Sequence, residues 1–553
     1  MKKIVPGISM AGAAACMLLF LAATSLSQAG SSPLGPPEIG TTTLQLLSPT
    51  VVELSRVTSK APPPARVTEW DYVTAAQELR LPPASAFQVS VDGQPVSILD
   101  IGFRRRPLYA PLKKRDLRIG NNLYLKLSSP VPDHALVRVD IDAAVWPTNA
   151  PNTVLADPWR ESQVIHLSQV GYLPGCSKKA IVGYYLGSLQ ELDIPSSGFQ
   201  VVERDSGQVV FSGALSLRQD VGYNYVPPPY QNVWEADFTP LREQGQYRVV
   251  VPGLGASRPF RIDDGVAACM ARTYALGLYH QRCGTVNELP FTRHIHGVCH
   301  TAKADVPTMA FSAVNNALAD FSSDYRNNPR HTAPQLKAIN ASLYPFVNSG
   351  KVDVSGGHHD AGDYSKYTIN SAQLIHALIF AIDALPGVAA LDNLGLPESG
   401  DGLGDLMQEA KWEAEFLAKM QDADGGFYFL VYPRTRAYED NVLPDRGDPQ
   451  AVFPKNTAAT AAAIAALAQT ASSPTFRRAY PELAAQYLAQ ALQGWAFLQR
   501  AFAQFGRDGS YQKISHYGDE FMHDDEIAWA ATELFGATGD HTFEAELTAA
   551  FNP

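Results

Sequence analysis

The chain of 553 residues carries a formal net charge of −11, which argues against nucleic acid as the main partner. Its 46% of hydrophobic and 18% of charged residues are typical of an ordered globular protein and exclude a disordered one. The chain is longer than a single hydrophobic core usually accommodates, so we expect about three domains. One basic cluster is more typical of a solvated hairpin face than of a nucleic-acid site: Arg104 to Arg106 with Lys113, Lys114 and Arg115.

Residues 1–29 are predicted to be a secretory signal peptide. A basic start, an apolar stretch and a small-residue cleavage site follow one another: Lys2 and Lys3, Ile8 to about Ala23, and Ser27-Gln28-Ala29. A membrane anchor is disfavoured because the apolar run is short and no stop-transfer charges follow it. Lipidation at Cys16 is disfavoured because the apolar run continues past it. We expect a secreted protein, extracellular or periplasmic, without membrane contact beyond this signal.

Two β-rich blocks are predicted, at residues 30–160 and 161–264. Both contain short runs of alternating polarity, as in half-buried strands, and Asp92-Gly93 is a hairpin signal. Two blocks of about a hundred residues each fit two β-sandwich modules, the first without an assigned role. The predicted strands are Val51 to Val57, Phe87 to Val91, Val96 to Ile101, Leu123 to Leu127, Val137 to Ile141, Ala180 to Tyr185, Phe199 to Val202, Val209 to Phe211 and Tyr247 to Val251.

Residues 265–553 are predicted to form an all-helical domain. Apolar residues recur at helical spacing from Ala267 onward, and the segment from Ala458 to Ala471 consists almost entirely of alanine. These patterns indicate about seven or more helices. Their long, irregular connections are where a helical scaffold places binding residues.

The segment Ser355 to Tyr367 has the strongest catalytic features and reads Ser-Gly-Gly-His-His-Asp-Ala-Gly-Asp-Tyr-Ser-Lys-Tyr. Its glycines permit backbone conformations closed to other residues. Asp363 stands where an N-cap is expected before an apolar helical pattern. A helix N-terminus favours the ionised carboxylate, which suits a general base. An aspartate-rich capping loop and a calcium loop are the alternatives.

The cysteines and histidines between residues 283 and 359 allow either a disulfide or a metal site. In an exported protein, a bridge between Cys283 and Cys299 is the default expectation. Cys283, Cys299 and His300 lack one ligand for a closed Cys₂His₂ zinc site, and His359 or His358 can supply it. Spacing alone leaves both readings open. Bound zinc would be structural, because four protein ligands leave no position for water.

The stretch Val354 to Tyr367 resembles the hallmark loop of glycoside hydrolase family 9, the inverting cellulases. Ile165 to Pro174 likewise resembles the start of the immunoglobulin-like module that precedes many bacterial catalytic domains of this family. Further segments are similar to the family in the same order: Glu398 to Gly402, Glu409 to Glu413, Met420 to Gly426, Val452 to Thr460 and Asp524 to Leu534. The resemblance implies an immunoglobulin-like β-sandwich at 161–264 and a partial (α/α)₆ catalytic barrel at 265–553.

Several roles follow from this resemblance alone. Asp363 is implied as the general base that activates a water, and Asp360 as the residue that helps to hold that water. A zinc site is implied at Cys283, Cys299, His300 and His359, which favours zinc over the disulfide. A calcium site is implied at the pair Asp525 and Glu526, for which ordinary helix capping is the alternative.

The chain also departs from the family pattern. The family usually has Trp where His358 stands, so a sugar-facing aromatic is lost or a second candidate ligand is gained. The run Phe427 to Tyr432 replaces residues that are commonly polar, which leaves the substrate preference open. We expect Tyr364, Tyr428 and Trp529 to stack on pyranose faces. Trp412 and Trp495, at helical spacing among apolar residues, are expected in the core.

An inverting glycosidase needs a second carboxyl group that protonates the leaving oxygen. In this family that acid is a Glu after a His/Arg-containing segment near the end of the helical domain, and neither motif is found in the sequence. Glu520, Glu526 and Glu533 match helix-start or helix-face positions instead. We therefore expect a C-terminally truncated sequence rather than a naturally incomplete barrel.

The sequence thus predicts an endoglucanase that hydrolyses β-1,4-glucosidic bonds by inversion. Its partner would be a β-glucan polysaccharide or oligosaccharide, and we expect a monomer. One alternative is an exo-acting β-glucosidase or glucosaminidase of the same family. A carbohydrate-binding protein without catalysis is the other.

Overall fold

The computed structural model describes residues 37–60, 70, 72–74, 76, 78–109, 117–218, 232–306, 343–361, 364–433, 443–447, 449–512 and 523–551. They belong to two compact units, which divide between Asp263 and Asp264. Several predicted features lie outside the described residues: the signal peptide, Lys113, Lys114, Arg115, Asp363 and Glu520. As predicted, β-sheets precede a helical region.

Unit 1 begins with two four-stranded sheets that enclose one core. The sheet orders are β1-β2-β6-β5 and β4-β3-β7-β8, and Leu54, Leu123 and Val137 are fully buried between them. The predicted hairpin at Asp92-Gly93 is confirmed, because both residues have positive φ and join β3 to β4. The strands are β1 Thr42–Ser48, β2 Val51–Ser59, β3 Phe87–Val91, β4 Gln94–Val96, β5 Ile98–Tyr109, β6 Arg118–Leu127, β7 Leu136–Ile141 and β8 Thr153–Leu155.

The rest of unit 1 is a second, eight-stranded antiparallel arrangement. Its strand β12 pairs with β11 through residues 209–214 and with β13 through residues 215–217. One strand therefore joins the two halves of the arrangement around a core that includes Phe199, Val249 and Phe238. The strands are β9 Ile165–His166, β10 Lys179–Val182, β11 Gly198–Glu203, β12 Val209–Leu217, β13 Trp234–Asp237, β14 Gly245–Val251, β15 Gly255–Ala256 and β16 Phe260–Ile262.

Unit 2 is built on eight α-helices within the described residues, as the helical periodicity predicts. The central helix is α4, which is buried along nearly its whole length and packs against α2, α6 and α7. Alanine side chains allow this close packing, and Gly494 on α6 meets Ile464 of α4 so closely that a Cβ would lie 2.7 Å from Cγ1. The helices are α1 Gly265–Gln281, α2 Thr368–Ala384, α3 Asp405–Lys419, α4 Thr457–Ser472, α5 Pro474–Ala479, α6 Pro481–Phe505, α7 Asp524–Thr538 and α8 His541–Phe551.

A small sheet of order β18-β17-β21-β20-β19 accompanies these helices. Its strands are β17 Ala304–Asp305, β18 Lys351–Val352, β19 Lys366–Tyr367, β20 Leu430–Pro433 and β21 Gln450–Val452. The pairing of β19 with β20 keeps the chain extended up to Tyr367, which occupies the N-cap position of α2. The prediction that Asp363 caps this helix is therefore wrong. Among the described helices, none is both long enough and apolar enough to cross a bilayer.

Candidate functional site

A short antiparallel pairing joins the end of α1 to the loop that carries the candidate catalytic residues. Arg282 and His358 form a β-bridge, Cys283 N donates to Gly357 O at 2.7 Å, and His359 N donates to Gln281 O at 2.7 Å. Side chains alternate between the two faces of such a pairing. Arg282 and His358 therefore point to one face, and Cys283 and His359 point to the other.

The second of these faces carries a cluster of metal-binding side chains. Single ligand atoms of Cys283, Cys299, His300 and His359 all lie within 4.8 Å of one another. His359 Nε2 lies 3.2 Å from His300 Nδ1 and 4.0 Å from Cys299 Sγ. The edges of a tetrahedral zinc site measure about 3.4 to 3.8 Å, so the donor set and its spacing fit zinc.

Two members of this cluster have pKa values shifted toward the forms that bind metals, whereas the hydrogen bond with Cys283 and burial raise the pKa of the Cys299 thiol. Burial lowers the pKa of His359, which keeps the imidazole neutral, the form that binds metals. A hydrogen bond from Cys299 lowers the pKa of the Cys283 thiol, and the Gly284 N–H donates to Cys299 Sγ at 3.3 Å. Both cysteines are free thiols in the structure, so the disulfide alternative is not adopted.

His358, the alternative fourth ligand, faces away from this cluster. Its Nδ1 lies 2.5 Å from Glu413 Oε2 and its Nε2 lies 3.1 Å from Glu409 Oε2. Burial alone would lower the pKa of His358, but the two carboxylates outweigh it and raise the pKa to about 9. His358 is therefore a buried imidazolium and neither a metal ligand nor a sugar-facing residue.

Glu409 also binds Arg282, which extends this buried network of charges. Arg282 donates from Nε to both carboxylate oxygens of Glu409 at 3.1 Å and from Nη1 to Glu398 Oε2 at 3.2 Å. Burial opposes the ionised form of Glu409, yet His358 and Arg282 together lower its pKa. The guanidinium also stacks over the Trp412 ring at 5.4 Å.

Further contacts hold the same loop, residues 353–361, against α3. Trp412 Nε1 donates to Gly357 O at 3.0 Å, and Lys419 Nζ donates to Ser355 O at 3.1 Å. The buried Lys366 donates to Val354 O at 2.6 Å and to Gly356 O at 2.8 Å. Gly357 lies so close to Phe416 that a Cβ would clash with the ring at 2.6 Å, so only glycine fits here.

A cavity of about 480 Å³ opens beside this loop. Three helices start at its wall: α2 with Ile369 and Asn370, α4 with Asn456 and Ala458, and α7 with Asp525 and Glu526. Asn456 caps α4 by accepting from Ala459 N at 2.8 Å. Since helix N-termini favour polar and negatively charged groups, the cavity is suited to polar ligands.

Asp360 is exposed on the cavity wall. Its Oδ1 accepts a hydrogen bond from Asn370 Nδ2 at 3.0 Å, and its N–H donates to Ser365 O at 2.8 Å. These two contacts hold Asp360 at the cavity wall. The candidate base, Asp363, lies outside the described residues.

Asp525 and Glu526 lie in the first turn of α7, and His523 occupies the N-cap position without a side-chain capping bond. Burial and the neighbouring Asp525 raise the pKa of Glu526 to about 8. Glu526 Oε2 is buried without a hydrogen-bond partner among the described residues. Calcium takes about six to eight oxygen ligands, and the Cys/His cluster is the only group of three or more candidate ligands in the described part of the chain. Within the described residues, Asp525 and Glu526 are thus not joined by a third Asp, Glu, His or Cys ligand.

The aromatic side chains singled out in the sequence occupy different environments. Tyr428 is fully buried and accepts a hydrogen bond from Asn348 at 3.0 Å, so the prediction that it stacks on a sugar is wrong. Tyr364 packs on His359 at 4.9 Å, beside the Cys/His cluster. Trp529 is half-buried, contacts His376 and donates to Glu533 at 3.3 Å. Trp495 is in the core as predicted.

Sequence reasoning missed several residues that shape this site. Asn370 and Tyr511 line the cavity without a motif of their own. Asn456 was detectable, because an Asn directly before a helical pattern is an N-cap signal. Glu409 and Glu413 were also detectable, since two carboxylates four residues apart lie on one face of a helix.

Comparisons with known proteins agree with this arrangement. Residues 270–553 match the family described as Glycosyl hydrolase family 9, and residues 160–256 match the Cellulase N-terminal ig-like domain. Endoglucanase D of Acetivibrio thermocellus is 26% identical over 443 residues, which are 79% of this chain and 58% of that enzyme. A xyloglucan-specific endo-beta-1,4-glucanase of Bacteroides ovatus is 26% identical, with 70% of this chain and 59% of that enzyme covered.

A solved structure described as a Zn-binding triple mutant of GH family 9 endoglucanase J30 matches with a TM-score of 0.51 and 28% identity. The match covers 68% of this chain and 62% of that one. The chain thus spans less than two thirds of the length of each of these relatives.

Proposed function

Since the chain belongs to glycosyl hydrolase family 9, we propose that it hydrolyses β-1,4-glucosidic bonds in cellulose or related β-glucans as an endoglucanase. The observation that carries this proposal is the placement of Asp360 on the wall of a cavity where three helices begin. The endoglucanase relatives support a β-glucan, polysaccharide or oligosaccharide, as the substrate. We further propose that the helices form part of an (α/α)₆ barrel and that the protein is a secreted monomer with a signal peptide.

The proposed reaction is a single displacement with inversion at the anomeric carbon. Asp363 removes a proton from a water molecule as that water attacks the sugar. Asp360, held by Asn370, orients the same water. Among the described residues no carboxyl group is assigned as the proton donor, so these roles cover the water-activating half of the reaction.

We propose that zinc binds to Cys283, Cys299, His300 and His359, whose donor atoms converge within 4.8 Å. Bound there, the metal would supply a rigid crosslink and no chemistry, because four protein ligands leave no open position. Its ligands connect the end of α1 to the loop that carries Asp360. We also propose calcium at the pair Asp525 and Glu526, which the resemblance to the family implies.

Hydrolysis of a soluble cellulose derivative tests the proposal. The intact gene product should release reducing ends from carboxymethylcellulose, together with a mixture of products of different lengths and a rapid fall in viscosity. An exo-acting enzyme would release one short product with little change in viscosity. Binding of cello-oligosaccharides without any release of reducing ends would favour the carbohydrate-binding alternative and would contradict the enzymatic proposal.

A further inference from the structure

We propose that His358 is a positioning residue that fastens the catalytic loop to α3 and thereby fixes both His359 and Asp360. This inference rests on the proposed function of that loop. His358 lies between the two carboxylates of Glu409 and Glu413, at 3.1 and 2.5 Å, and only 8% of its surface is exposed. His358 belongs neither to the metal cluster nor to the lining of the cavity.

The bond pattern of His358 explains why an imidazole is suited to this role. An imidazole ring has two nitrogens on opposite sides of one small ring, and here each lies within hydrogen-bond distance of a carboxylate oxygen. The indole that the family usually places here has one N–H donor and could satisfy only one carboxylate. A buried carboxylate without a partner lowers stability. A histidine at position 358 avoids this, because its two ring nitrogens give both Glu409 and Glu413 a partner.

The backbone pairing transmits this attachment to the functional side chains. Arg282 and His358 share the face toward α3, where both bind Glu409. The neighbouring Cys283 and His359 share the opposite face, where they contribute to the metal cluster. One strand pairing is therefore held from both sides, by charges on one face and by metal ligands on the other.

Asp360 follows directly in the chain, so the same attachment sets its position. Its N–H bonds to Ser365 O at 2.8 Å and the N–H of His359 bonds to Gln281 O at 2.7 Å. These two amides report whether the loop stays in place. Loss of the hydrogen bonds of His358 should make both of these amide hydrogen bonds break more often, so that both amides exchange faster.

Hydrogen exchange of the full chain, followed by mass spectrometry of peptides covering residues 353–361, tests the proposal. His358→Gln should exchange at least about 10-fold faster in this loop than the wild type, while peptides from α4 and α6 stay unchanged. In Glu413→Gln, His358 keeps its hydrogen bond to Glu409, so the increase in loop exchange should be smaller. This variant replaces His358→Gln in the experiment if His358→Gln does not fold. His541→Gln, at an exposed histidine, is the matched control and should have no effect.

Cobalt(II) binding to the same variants gives a second readout. The dissociation constant should rise by about 10- to 100-fold in His358→Gln, as expected for a residue that orients a metal ligand, with altered visible absorption bands. Unchanged loop exchange and unchanged cobalt affinity, with only a lower melting temperature, would overturn the proposal. If the wild type binds neither zinc nor cobalt, the zinc proposal fails, whereas exchange of the loop in the presence of chelator still decides the role of His358.

Discussion

Lys455 Nζ lies 2.7 Å from Asp422 Oδ2, and both side chains are completely buried. Lys455 also binds Asp424 at 2.7 Å, and the carboxylate of Asp422 accepts from the N–H groups of Val347 and Asn348. The pair lies next to Asn456, which caps α4 at the cavity. It therefore connects the loop after α3 to the start of the central helix.

Lys455→Met is expected to lower the free energy of unfolding by roughly 3 to 5 kcal/mol, because it leaves the buried Asp422 without its counterion. Chemical denaturation measures this loss. Lys411→Met is the matched control, since Lys411 forms a partly exposed pair with Glu415 and should cost less than about 1 kcal/mol. Equal losses in the two variants would contradict the importance of the buried pair.

The contribution of this pair should depend on pH. Burial tends to raise the pKa of Asp422, but Lys455 and the two backbone N–H groups lower it below its ordinary value. A carboxyl with a lowered pKa in the folded state stabilises the protein above its unfolded pKa of about 3.9, and this contribution disappears as the pH falls through the lower folded value. The difference in stability between wild type and Lys455→Met should therefore be largest at neutral pH and shrink below about pH 4. A difference that grows on acidification would contradict this assignment.

Gly187 in unit 1 is expected to tolerate no side chain. Its φ is +64°, and a Cβ would lie 2.1 Å from the carbonyl oxygen of Phe103. Gly93 has a similar φ of +78° but open space around it. Gly93→Ala should cost about 1 to 2 kcal/mol from backbone strain alone, and Gly187→Ala about 1 to 3 kcal/mol more. Calorimetry of thermal unfolding measures the loss of stability in both variants. Equal decreases in melting temperature would show that the close approach to Phe103 does not contribute to the cost of a side chain at position 187.

Removal of one thiol should abolish metal binding. The wild type is expected to contain about one zinc per chain, and Cys283→Ser or Cys299→Ser should contain almost none, because zinc needs both thiolates. Cys269→Ser, at an exposed cysteine on α1, should retain the metal. Metal analysis with thiol titration decides the question. A protein with no zinc and no free thiols at Cys283 and Cys299 would support the disulfide instead.

Local patterns predicted much of the fold. The alanine run from Ala458 to Ala471 corresponds to α4, and Asp92-Gly93 forms the expected hairpin. The start of α2 was misplaced, because the two-residue strand β19 depends on a partner more than sixty residues away in sequence, at Leu430 and Val431. Such pairings leave no periodic signal in the strand itself.

The candidate site was predictable in part. The spacing of Cys283, Cys299 and His300 pointed to a cluster but left His358 and His359 open as its fourth member. The family resemblance implied His359, and the alternation of side chains at the bridge of Arg282 with His358 gives the physical reason for it. The burial of Tyr428 was hidden for a different reason. An apolar run does not reveal that both of its faces are covered, as they are from Phe427 to Tyr432.

The kinetics of Asp363→Asn on carboxymethylcellulose, measured in the intact gene product, test most directly the central claim that the loop around Asp363 activates water for β-glucan hydrolysis. The expected result is a fall in kcat on the order of 10²- to 10⁴-fold with little change in KM, because the variant binds substrate but lacks the base. Asp401→Asn, at an exposed aspartate before α3, should retain wild-type kinetics. An Asp363→Asn variant with the same kcat as the wild type would contradict the claim.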